Sequence, residues 1–230
     1  MKLRNPFAAL TRFELFLWIF SLVVILISMF LLPQRSALSI SASLIGVTAL
    51  IFISKGDVFG QALCLIFALL YAAVSYTFSY WGEMITYLGM SAPAALISLI
   101  AWLKHPYKKG EVRAAKLTSR SIVEMIFFSV SVTVVFYFVL RALDTPNMFF
   151  STLSIMTSFA ASYMTFKRSP FYGLAYAAND IVLIIMWILA SIENPAYIST
   201  VICFVMFFAN DIYGFINWRK IKKRQETFYD

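Results

Sequence analysis

Two cysteines and one histidine in 230 residues leave this chain little with which to hold a soft metal ion or attack a carbonyl. Cys64 and Cys203 stand alone inside apolar stretches, without a disulfide framework or a zinc spacing. His105 sits in a polar stretch beside Pro106, with no serine or cysteine partner to make a nucleophile. The eight glycines are scattered and form no phosphate-binding loop. The chain is therefore read as a non-enzyme with no cofactor and no metal. Charge is scarce too: 13% of residues are charged, against roughly 25% in ordinary globular domains, while 61% are hydrophobic. A surface of that composition is not kept in water.

What is present is a series of apolar runs, at 14–32, 36–53, 58–79, 84–103, 121–140, 148–166, 172–190 and 197–217. Each approaches the ~20 residues that cross hydrocarbon as a helix. The sequence thus predicts an all-α, multi-pass protein of the lipid bilayer with eight transmembrane helices. The first run is too long for a secretory signal core and ends in "MFLLPQR", without a small-x-small cleavage pattern, so it is expected to stay as a helix. Eight spans put both termini in the cytoplasm together with 17 of the 19 basic residues; external turns keep only Arg35 and Arg141. The net charge of +8 then belongs to topology and anionic lipid rather than to nucleic acid.

A shift of 113 residues brings Pro33 onto Pro146, Lys55 onto Arg168 and Phe59-Gly60 onto Tyr172-Gly173. This predicts two copies of a three-helix unit, parallel because four spans separate equivalent points. The expected division is an N-terminal segment with an extra helix (1–35), a first bundle (36–103), a cytoplasmic linker and connecting helix (104–147), a second bundle (148–218) and a basic tail (219–230). Parallel duplicated bundles are a transporter architecture with the substrate near the midplane.

Polar residues inside the runs mark the candidate site. Ala-Asn-Asp-Ile occurs at 178–181 and again at 209–212, with Asn179 and Asn210 at matched depth. An ionisable group there costs about 2.5–3.5 kcal/mol on insertion scales unless it meets a partner or water, so Asp180 and Asp211 are expected to face the bundle interior. Substrate lining and helix-to-helix bonding both satisfy that demand. Asn210, Tyr213 and Asn217 share one helical stripe, and Asp180 and Trp187 share another; amide, phenol and indole suit a ring with a polar edge. Trp218, at the inner membrane edge, reads first as an interfacial anchor. The first copy offers Ile66 and Phe67 in place of Asn179 and Asp180, so its polar candidates are Gln61, Tyr71, Trp81, Glu83, Thr86 and Tyr87. Glu83 also fits a solvated helix N-terminus. Pro93 should interrupt its helix.

At "WGEMITYLGMSAP…AWLKHPYK" and "ANDIVLIIMW…FANDIYGFINWRK" the chain resembles the PnuC family of nicotinamide riboside transporters over nearly its full length. The resemblance implies a SWEET-like order of three, one and three helices behind the additional N-terminal helix, assembled as a homotrimer in the cytoplasmic (inner) membrane. It implies uptake of a small-molecule vitamin by facilitated diffusion, with cytoplasmic phosphorylation as the trap. Asn179, Trp187, Asn210 and Asn217 best fit the family's tryptophan and asparagine site, joined by Asp180 and Tyr213 from the same stripes and by Trp81, Glu83 and Tyr87 from the first half. Thiamine or riboflavin as cargo, proton coupling through Asp180 and Asp211, and an integral-membrane enzyme using those two as acid and base are the alternatives.

Overall fold

The computed structural model describes residues 5–31, 36–77 and 81–227, and these are helical apart from turns and the linker, which makes one isolated β-bridge within itself (Pro106 with Val112) and one to Asp57 (from Glu111). Pro33 and Arg35, used above, lie outside the described residues, as do Lys2 and Arg4. Helix α1 (Arg12–Leu31) opens on a capping box: the Glu14 N–H donates to Thr11 Oγ1 at 3.2 Å and the Thr11 N–H to Glu14 Oε2 at 2.7 Å. The same carboxylate, 2% exposed, accepts from Lys55 Nζ (2.7 Å) and from the Tyr213 hydroxyl (2.8 Å). A buried acid is thereby paired, and α1 is tied to the helices behind it.

Helices α2 (Ala37–Ser54) and α3 (Val58–Thr77) form an antiparallel pair. Helix α4 (Trp81–Thr86) continues through a π-turn at Tyr87–Ser91 into α5 (Ala92–Leu103). Pro93 has no N–H to offer the residue four back. Just before it the helix widens, and the Ala92 N–H bonds Tyr87 O, five residues back. The interruption expected at Pro93 therefore takes the form of a wide turn. Helix α6 (Ser119–Ala142) follows the linker, capped by the Thr118 hydroxyl, and α7 (Met148–Phe166), α8 (Tyr172–Glu193) and α9 (Ile198–Glu226) complete the chain.

Seven helices among the described residues are long and apolar enough to cross a membrane, counting Trp81–Leu103 as one. The eighth expected span, 148–166, is present as α7 but does not reach that apolarity, since seven of its 19 residues are serine or threonine. It packs against α5, α6 and α8.

The turn joining α2 to α3 and the turn joining α7 to α8 have one hydrogen-bond pattern. The Gly56 N–H bonds Ile53 O, the Asp57 N–H bonds Phe52 O, and the Phe59 N–H bonds Asp57 Oδ1. In the second turn Arg168 bonds Thr165 O, Ser169 bonds Met164 O, and the Phe171 N–H bonds Ser169 Oγ. Gly56 (φ 67°) and Arg168 (φ 57°) hold the same left-handed position, where glycine is unstrained and arginine is not. Here the two turns match at a shift of 112, one residue less than the sequence alignment, which paired Lys55 with Arg168 by charge. Phe67 and Ala68, not Ile66 and Phe67, then correspond to Asn179 and Asp180.

Two tryptophans lock these turns reciprocally. Trp102, ending α5, donates Nε1–H to Thr165 O at 2.9 Å, while Trp218 on α9 donates to Ile53 O at 2.8 Å. Both indoles are fully buried, with ring centroids 5.3 Å apart, and Tyr172 lies edge-on to Trp218. The linker straps the same end: Val112 N–H bonds Gly56 O (2.8 Å), Ala115 N–H bonds Arg168 O (3.0 Å), and Ala114 N–H bonds Gln225 Oε1 (2.9 Å). The basic tail is helical up to Glu226, and its Arg224 pairs with Glu111.

Candidate functional site

Between α2–α5 and α7–α9 lies a cavity of about 160 Å³. A water takes up about 30 Å³ in the liquid, so the space holds about five waters. One wall is apolar, with Gly46, Leu50 and Ile53 of α2 and Phe67 and Ala68 of α3. The opposite wall is a track of hydroxyls on α7: Ser151, Ser154, Ser158, Ser162 and Thr165, spaced three, four, four and three residues apart, which is one helix face. Helices α8 and α9 add Tyr176, Asn179, Asp180 and Asp211, and Glu83, Thr86 and Tyr87 come from α4 and the π-turn. Among the described residues, no lysine, arginine or histidine lines this cavity.

Its polar groups are held in place by neighbours. The Thr157 hydroxyl donates to Asn179 Oδ1 at 2.8 Å, fixing the amide against α7. Ser162 and Tyr176 share a hydrogen bond of 3.0 Å. Asp180 on α8 and Asp211 on α9 line the cavity together, on two helices packed against each other. Gly173 allows this approach, because an added Cβ would lie 2.5 Å from Asp211 O. Two buried polar atoms on the wall have no protein partner: Gln61 Nε2 and Asp180 Oδ2. Groups of this kind are expensive in an apolar interior unless a guest or solvent meets them. Among the described residues no cluster of three metal-ligating side chains occurs.

Of the nine side chains expected at a site, four meet here: Asn179, Asp180, Glu83 and Tyr87. Trp187 lines a second cavity of about 60 Å³, with its ring 5.3 Å from that of Tyr197. Asn210, Tyr213 and Asn217 are on neither cavity wall. Asn210 Nδ2 donates to Ser21 Oγ of α1 (3.0 Å), Tyr213 to Glu14 of α1, and Asn217 Nδ2 to Ser54 O of α2 (2.9 Å). That stripe faces the helices next to α9 rather than the cavity, because α1 packs along it. Trp81 is 41% exposed, edge-on to Tyr76, and away from both cavities.

Residues 36–220 match the profile of the family described as nicotinamide mononucleotide transporter. The chain belongs to this family. It is 28% identical over 227 residues to the nicotinamide riboside transporter PnuC of Neisseria mucosa, covering 96% of this chain and 86% of that protein. It is 25% identical over 210 residues to the protein of the same name from Haemophilus influenzae, covering 90% of each. A crystal structure of the vitamin B3 transporter PnuC superposes with a TM-score of 0.80 at 27% identity, covering 94% of each chain.

For this transporter, sequence reasoning passed over the α7 hydroxyl track and Tyr176. Five cavity hydroxyls at heptad-like spacing were the available signal. Serine and threonine satisfy themselves on their own helix, as Ser154 does on Ser151 O and Thr165 on Ala161 O, so they draw less notice than a buried acid.

Proposed function

We propose that this chain carries nicotinamide riboside across the cytoplasmic (inner) membrane by facilitated diffusion. The observation that carries the reading is the charge of the central cavity, which is lined by Glu83, Asp180 and Asp211 and by no basic side chain among the described residues. Nicotinamide riboside is a pyridinium cation and suits that wall. A mononucleotide would bring a phosphate against three carboxyl groups with no cation to pair it, at a desolvation cost left unmet. The names of both curated relatives favour the riboside as well. Asn179 and Gln61 are suited to the carboxamide as donor and acceptor amides, and the α7 hydroxyls to the ribose.

The shared turns and reciprocal tryptophans support two parallel three-helix units, 36–103 and 148–218, joined by α6 and preceded by α1. Counting α7 as a span gives eight helices in a SWEET-like order with both termini cytoplasmic. Rocking of one unit on the other would open the cavity to each side in turn, and cytoplasmic phosphorylation would keep the riboside inside. The exposed apolar face of α6, including Val123, Phe127 and Phe138, is available to lipid or to neighbouring copies of a homotrimer.

Calorimetric titration of the purified protein with nicotinamide riboside, nicotinamide mononucleotide, thiamine and riboflavin tests the reading. Saturable binding of the riboside with none of the mononucleotide is expected; mononucleotide binding of equal strength would overturn it. Thiamine, also a cation, is the nearest competitor on charge. The presence of Asp180 and Asp211 on one cavity wall favours a second reading, since two carboxyl groups brought together in an apolar bundle are accommodated by sharing a proton. Coupling of uptake to that proton would appear as riboside accumulation in kinase-free proteoliposomes when a pH gradient is imposed.

A further inference from the structure

Glu83 differs from the other two carboxyl groups of the cavity. Asp180 and Asp211 sit on the adjoining helices α8 and α9, whereas Glu83 comes from the first half and its carboxylate makes no hydrogen bond or ion pair with another described residue. A solvated helix N-terminus would turn this carboxylate outward. Instead it lines both the central cavity and the second one, together with Phe67, Phe204 and Phe207, whose rings stand between the two spaces. Phe207 contacts Phe67 at 5.8 Å and Phe204 at 5.6 Å between ring centroids.

Beside Glu83 is a second set of rings. Tyr71 and Tyr87 lie 4.5 Å apart between centroids, tilted by 38°, and Phe67 lies 5.6 Å from Tyr71 and 6.1 Å from Tyr87. Tyr87, four residues after Glu83, borders the central cavity with it, and Tyr71 borders the second cavity with it. A carboxylate next to aromatic faces is the chemistry that holds a flat, delocalised organic cation: the acid balances the charge and the ring quadrupoles add to it. An uncharged ring of the same shape gains the stacking and loses the rest.

We propose that Glu83, with Tyr71 and Tyr87, forms a recognition site for a positively charged aromatic ring at the boundary between the two cavities. The inference rests on the nicotinamide riboside reading and assigns the part of that guest which the first half of the chain reads. Charge selection is thereby separate from the α8 amide, and the transporter distinguishes the oxidised pyridinium from a neutral ring carrying the same sugar and carboxamide.

The test compares nicotinamide riboside with its 1,4-dihydro form, which is uncharged and otherwise alike, by titration into the purified full-length protein and its Glu83→Gln variant. Wild type should prefer the cation by about tenfold or more, corresponding to the upper range of a desolvated cation–π and carboxylate contact. Glu83→Gln should erase most of that preference by weakening the cation, while the neutral form loses far less. Glu83→Asp should retain the preference. Equal binding of the two ribosides by wild type overturns the inference without any variant, as does an equal loss of both in Glu83→Gln. Binding of neither by wild type is a different outcome and removes the nicotinamide riboside reading itself.

Discussion

The two turns that join α2 to α3 and α7 to α8 are near copies in backbone, yet the helices leaving them present different chemistry to the cavity. Helix α2 shows Gly46, Leu50 and Ile53, while α7 shows five hydroxyls; α3 shows Phe67 and Ala68 where α8 shows Asn179 and Asp180. The carbonyls of Gly56 and Arg168, at the same place in the two turns, each accept one bond from the linker. The difference teaches that the frame is kept symmetric by backbone bonds and buried indoles, while the side chains of the wall are free to diverge. A guest with one apolar face and one polar edge requires such a wall, because two identical walls would offer it the same groups twice.

The most disruptive way to break the comparison is to remove an indole. Trp102→Ala and Trp218→Ala should each cost about 3–5 kcal/mol, the usual range for deleting a buried tryptophan side chain. Because their bonds to Thr165 O and Ile53 O are reciprocal, the two losses should be similar in thermal unfolding of the detergent-solubilised protein. A much smaller loss for one of them would mean that the turns are not held in the same way.

Next in size is Asn179→Leu, which removes an amide fixed by Thr157 on the polar wall. Riboside binding should weaken by about tenfold to a hundredfold, as expected when a buried hydrogen-bonding group is left without its partner. Thr157→Val should weaken it less, since the amide stays and only its tether is lost. Full affinity in Asn179→Leu would take the amide out of the site.

Asn210→Leu sharpens the contrast between the two Ala-Asn-Asp-Ile copies. From the stripe alone, this change would be expected to abolish binding. With Asn210 bonded to Ser21 instead, the expected outcome is a loss of about 1 kcal/mol in stability with riboside affinity retained, measured by unfolding and titration side by side. Lost affinity in a protein of unchanged stability would restore Asn210 to the guest.

Helix positions were legible because hydrocarbon crossing demands long apolar runs, and the described helices begin and end within a few residues of them, except that α9 runs on to Glu226. The faces were less legible. Neighbouring residues on a helix point about 100° apart, so Asp211 reaches the cavity while Asn210 turns to α1. Nothing in the repeat announces α1, whose Ser21 and Glu14 sit among apolar residues and take up the α9 stripe. Asn179 and Asp180 both reach the cavity because α8 lies between α7 and α9, with polar groups on either side. The one-residue error in the repeat has a similar origin: basic residues were aligned by charge, whereas the left-handed turn position belongs to Gly56 in one copy and Arg168 in the other.

The smallest expected effect bears on the α7 track. Ser158 lines the cavity between Ser154 and Ser162, yet unlike theirs its hydroxyl makes no hydrogen bond with another described residue. If the track reads ribose, Ser158→Ala should weaken nicotinamide riboside by about threefold to tenfold, the worth of one neutral hydrogen bond. Free nicotinamide, which has no sugar, should lose nothing measurable in the same titration. Equal losses for both would mean that α7 supports the ring rather than the sugar, and the divergence of α7 from α2 would then need another cause.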